Sequence, residues 1–136
     1  MPSTAIPTIR HHRHRRGNQE SKAEQQFRSA VLLALAIPGT GCPEWLQANH
    51  DGGRARFLRA ALEWRAELES FEYIHWEDSV NPALLHFSRP YGWHCVTNMG
   101  ASRVPVPEGI IVISSSPIRD GYLPAGATVW LLRWVE

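Results

Sequence analysis

Between residue 72 and the C-terminus the chain breaks into short stretches, each followed by turn-forming residues. No helical pattern comes between them. The stretches are Glu72–Glu77, Ala83–Arg89, Trp93–Asn98, Arg103–Val106, Ile110–Ser114 and Thr128–Arg133. The intervening turns are Asp78 to Pro82, Pro90-Tyr91-Gly92, Asn98-Met99-Gly100, Pro107-Glu108-Gly109 and the longer Ser115 to Gly126. Parallel strands need long crossovers, and these turns have no room for them. The pattern therefore predicts a small antiparallel β-sandwich of about six strands, mainly β in class. In Glu72–Glu77, Tyr73, His75 and Glu77 alternate with Glu72, Ile74 and Trp76, as a strand between two environments requires.

One helix stands out before the strands. Phe57, Ala61, Trp64 and Leu68 recur at intervals of four, three and four, and Leu58 and Leu62 widen the stripe. Arg54, Arg59, Glu63 and Glu67 take the outer side, so Glu63 and Glu67 read as a solvated face rather than a catalytic pair. Further upstream, Glu24 to Ile37 fits a helix or a buried strand, since a short apolar run does not separate the two. Pro38-Gly39-Thr40-Gly41-Cys42-Pro43 stops it. The organisation expected is a disordered basic leader over 1–27, a connecting piece over 28–53, and a packed unit of helix and sandwich over 54–136.

Charge divides the chain the same way. The first 28 residues hold six basic groups against two acidic, and the rest hold eight against eleven, so the net charge of +1 averages two unlike parts. A near-neutral total excludes a protein that wraps polyanions, and one basic cluster without interleaved aromatics makes nucleic acid a poor partner. With 136 residues, a whole eight-fold β/α barrel enzyme is excluded. The longest apolar run, Ala30 to Ile37, is too short for a membrane span. The leader before it is too long, and carries too many glutamates, for a secretory signal. Two cysteines, Cys42 and Cys95, suit free thiols in a reducing compartment, hence a cytoplasmic location.

Few residues point to chemistry. Neither cysteine has a nucleophile's local signature, and Cys95 in a strand reads as core. Ser114-Ser115-Ser116 lacks the frame of a nucleophile elbow, and no glycine loop cradles phosphate by motif. His11, His12 and His14 lie in an unpatterned tract that offers metal no rigid ligand set, so no metal and no cofactor is expected. Six tryptophans raise the possibility of sugar stacking, with Trp76, Tyr91 and Trp93 as the candidate sugar-binding platform. The competing reading makes them core, as Trp130 and Trp134 on one face with Leu132 indicate.

Several segments resemble the C-terminal part of bacterial α-glucosidases and oligo-1,6-glucosidases of the α-amylase superfamily. RFLRAALEWRAEL, from Arg56 to Leu68, resembles their helix between barrel and C-terminal domain. NPALLHFSRP from Asn81 and GWHCVTNMGA from Gly92 are similar to the strands that follow. Val104 to Pro107, Ile110 to Ser116, Gly121 to Pro124 and Ala127 to Arg133 continue in order. Upstream, RSAVLLALAIPGT from Arg28 resembles a segment leading into a late barrel strand, but the family's tyrosine and QGEELG stretch do not follow.

The resemblance implies an accessory β-sandwich with a scrap of barrel, and a truncated or frame-disrupted gene is the expected origin. The family's hydrolysis uses a barrel aspartate as nucleophile, a glutamate as acid/base and a further aspartate. Retaining chemistry needs two carboxyls roughly 5 Å apart. No position here matches those motifs, so no catalytic residue is carried over and the chain alone is expected to be inactive. Its implied partners are a glycosidase barrel domain or a second copy, through an apolar face left exposed on the Phe57–Leu68 helix or its sheet. The alternative is a small carbohydrate-binding module that takes an oligosaccharide.

Overall fold

The computed structural model describes residues 22–38, 52–68, 73–79 and 81–133. The His11, His12 and His14 tract, Cys42 and Trp134 lie outside these. The ambiguous upstream segment is helical over 22–36, here α1. Ala, Leu, Glu and Gln dominate it, all strong helix formers. Phe27, Val31, Leu32, Leu35 and Ala36 share one side at helical spacing. Pro38 ends it, because the residue before a proline is pushed out of helical geometry. Residues 22–27, expected to belong to a disordered leader, are thus the start of this helix. The second helix, α2, spans Gly52–Leu68. It begins beside the first: Arg54 pairs with Glu24 at 2.8 Å, and its guanidinium lies 4.4 Å over the Phe27 ring.

Seven strands follow: β1 His75–Trp76, β2 Leu84–Arg89, β3 Trp93–Asn98, β4 Val104–Pro105, β5 Ile110–Ser114, β6 Tyr122–Leu123 and β7 Thr128–Leu132. A five-stranded sheet runs β1-β2-β3-β7-β5 and a two-stranded one pairs β4 with β6, every pairing antiparallel. This is the sandwich expected from the sequence. The strand absent from that expectation is β6, two residues inside the stretch read as a long turn. Edge strand β5 carries a register shift between Ile111 and Ile113, and its first two isoleucines are exposed.

Pairing of Phe87 with Cys95 and of Cys95 with Trp130 puts these three on one face, together with Trp93. Val96, Val129 and Leu131 take the other face. The first face packs against Val31, Leu32, Leu35 and Ala36 of α1 and Ala61 of α2. The second packs against Val104 and Leu123 of the small sheet. The molecule therefore has three layers: helices, large sheet, small sheet.

Helix α1 is fastened to β7 and to the end of β2 by polar contacts. Ser29 Oγ shares a 2.7 Å hydrogen bond with Thr128, Trp130 Nε1 donates to the Leu32 carbonyl at 3.1 Å, and Arg89 Nη1 donates to the Ala36 carbonyl at 2.8 Å. The packed unit thus reaches upstream of the expected boundary at residue 54 and takes in α1. The sheet face expected to lie bare is covered by that helix. On α2 the buried side follows Phe57, Leu58, Ala61 and Leu68, while Leu62 and Trp64 are exposed. Trp64, expected within the apolar stripe, lies on the flank, and Ala61 is the buried residue of this helix.

Candidate functional site

The proposed sugar platform is divided between core and surface. Trp93 is fully buried. Its ring meets Trp130 edge to face at 5.1 Å, with the Arg89 guanidinium 4.8 Å over it. Trp76 is 59% exposed on edge strand β1, its ring 5.4 Å from Phe87. Tyr91 is 73% exposed in the β2–β3 turn, where its backbone takes φ of 67°. Only Trp76 and Tyr91 of the three could offer a ring to a sugar.

The other sequence candidates have structural roles. Burial pushes the Cys95 thiol far above its ordinary range, and a thiol held protonated is a poor nucleophile. Ser115 Oγ accepts from Thr128 N at 2.8 Å, and Ser114 Oγ donates to the Ser116 carbonyl at 2.8 Å. Both hydroxyls therefore tie the β5–β6 connection to the sheet. Glu63 and Glu67 are exposed on α2. Among the described residues no three His, Cys, Asp or Glu side chains form a metal site, and no helix is long and apolar enough to cross a membrane.

A further group of titratable side chains is assembled by strand register. Its members are His75 and Glu77 at β1, His86 and Ser88 on β2, and His94 on β3. Antiparallel register places Ser88 opposite both His75 and His94. His86 Nε2 and His94 Nδ1 lie 2.9 Å apart in a buried hydrogen bond, so one ring must donate and the other accept. Protonating both would leave two donors face to face. Burial first, then His94 and Arg133, lower His86 from 6.5 to about 4. Burial and Arg133 lower His94 as well. For Glu77 burial acts upward, but the Ser88 hydrogen bond and the charges of His94, His75 and His86 outweigh it and hold the carboxyl below its usual range. Glu77, His86, Asn81 and Arg133 line a cleft of about 370 Å³.

This pair makes stability depend on pH. The unfolded chain takes up a proton at His86 near pH 6.5, whereas the folded chain does so only near 4. The contribution is complete above about pH 6.5 and is lost as pH falls towards 4. Unfolding in urea at pH 7.5 and at pH 4.5 should show a loss on the order of 2 kcal/mol at the lower pH. His86→Gln should flatten the slope. An unchanged midpoint in the wild-type chain would refute the buried neutral pair.

No known protein-family model matches the chain, and no curated protein matches it.

Proposed function

We propose that the chain is a non-catalytic accessory β-sandwich of α-glucosidase type, the C-terminal part of a glycoside hydrolase whose parent activity cleaves α-glucosidic bonds in oligosaccharides. One observation carries the reading: the barrel-like segment, now α1, seats its apolar side on the sheet through Val31, Leu32, Leu35 and Ala36. In the enzymes the chain resembles, this domain packs an apolar face on the barrel, so a barrel-like segment seated on the sheet supports the reading. The exposed Leu62 and Trp64 on α2 are where a further barrel element or a second copy would pack. The free, buried Cys95 suits a reducing cytoplasm.

The experiment is direct. The purified chain, incubated with a chromogenic α-glucoside, should release no more dye than a heat-killed blank. Activity above the blank overturns the non-catalytic reading. Exposure of Trp76 and Tyr91 favours the second reading, a module that stacks sugars. A saturable change in tryptophan fluorescence with maltooligosaccharides would select it, since an accessory remnant predicts none.

A further inference from the structure

A second cleft, of about 310 Å³, opens between α1 and the turns flanking β6, and its charged lining is of one sign. Arg103 and Arg119 contribute two guanidinium groups, and Gln25, Ser116 and Tyr122 contribute neutral polar side chains. Pro117 and Pro124 complete the walls, and among the described residues no acidic side chain lines the cleft.

The two arginines converge through one hairpin. Asp120 and Gly121 hold φ of 55° and 76°, the pair of positive values that a two-residue hairpin turn requires. Asp and Gly suit those two positions, and the turn closes with Tyr122 N donating to the Arg119 carbonyl at 3.1 Å. Arg119 and Tyr122 thereby face each other as bridge partners. Arg103 lies 4.3 Å over the Tyr122 ring, so the same tyrosine places both cations. Among the described residues neither guanidinium makes an ion pair with a carboxylate.

We propose that this cleft binds phosphate, as the free ion or as the phosphate group of a small ester, through Arg103 and Arg119. A guanidinium offers planar paired donors that match two phosphate oxygens at once. A single carboxylate satisfies one such fork, whereas a phosphate monoester, with three terminal oxygens and nearly two charges, can engage both. Ser116 and Gln25 supply further hydrogen-bonding groups, and the volume leaves room for a sugar-sized body beside the anion.

Calorimetric titration of the full chain with inorganic phosphate in dilute chloride buffer tests the site. Saturable binding is expected, weakened about tenfold in Arg103→Gln and in Arg119→Gln. Arg119→Lys, which keeps the charge but loses the fork, should fall between. Arg56→Gln, on the exposed side of α2, is the like-charge control and should bind as the wild type does. Both target arginines are exposed, and tryptophan fluorescence checks that each variant keeps its fold. Glucose 6-phosphate binding more tightly than inorganic phosphate identifies an ester as the ligand, and equal or weaker binding identifies the free ion. No saturable phosphate binding, or equal binding by wild type and both Gln variants, overturns the proposal. Neither result bears on α-glucosidase ancestry, which the chromogenic assay addresses separately.

Discussion

A chain that starts at Gly53 and so lacks α1 should fail to fold cooperatively. Its removal takes Val31, Leu32 and Leu35 from the core and uncovers Phe87, Trp93 and Trp130, all fully buried when α1 is in place. Each large apolar side chain contributes about 1.5–3 kcal/mol on burial, so the three alone amount to roughly 4–9 kcal/mol. A domain of this size has about 5–15 kcal/mol in total. The loss also leaves Arg89 Nη1 without the Ala36 carbonyl and Trp130 Nε1 without the Leu32 carbonyl. Urea titration followed by tryptophan fluorescence should show a broad, shallow change in the fragment, together with strong binding of a hydrophobic dye. A steep transition with the slope of the full chain would mean that the sandwich folds without its helix.

Replacing Trp130 with alanine should cost about 3–5 kcal/mol, the usual range for a large aromatic removed from a core. The side chain is fully buried at the centre of β7, stacked edge to face on Trp93, and tied by its indole N–H to α1. Phenylalanine substitutions separate packing from hydrogen bonding. Trp130→Phe loses the Leu32 bond. Trp93 Nε1 has no hydrogen-bond partner among the described residues, so Trp93→Phe removes a buried donor that was already unsatisfied. The Trp93 variant should therefore unfold at higher urea than the Trp130 variant. The reverse order would show that the Leu32 bond contributes little.

The sequence makes the fold more legible than the sites. Strands β3 and β5 have the bounds that alternation and turn residues predict, because each is flanked by Gly or Pro turn chemistry. Strand β1 is His75–Trp76, shorter than the Glu72–Glu77 stretch, of which Glu72 lies outside the described residues. Strand β6 is too short to carry a period of two. The apolar run in α1 is ambiguous by itself, and its helicity follows from the residues before it together with a sheet face that needs covering. Sites depend on register, which no periodicity reveals. Nothing local to His86 or His94 announces that their rings meet, and Arg103 and Arg119 converge only once β4 pairs with β6. Trp93 reads as a ligand platform in the sequence because aromatic residues look alike there whether they face solvent or core.

The docking of α1 on β7 also bears on how the chain is made. Leu32 leaves the ribosome well before its partner Trp130, which lies 98 residues later. At about 5–20 residues per second, the apolar side of α1 waits roughly 5–20 s for the strand it packs against. Contacts this distant in sequence are slow to close, so the central layer cannot consolidate until β7 has been made. During that interval the nascent helix exposes the row of valine and leucine that the sheet covers once the chain has folded.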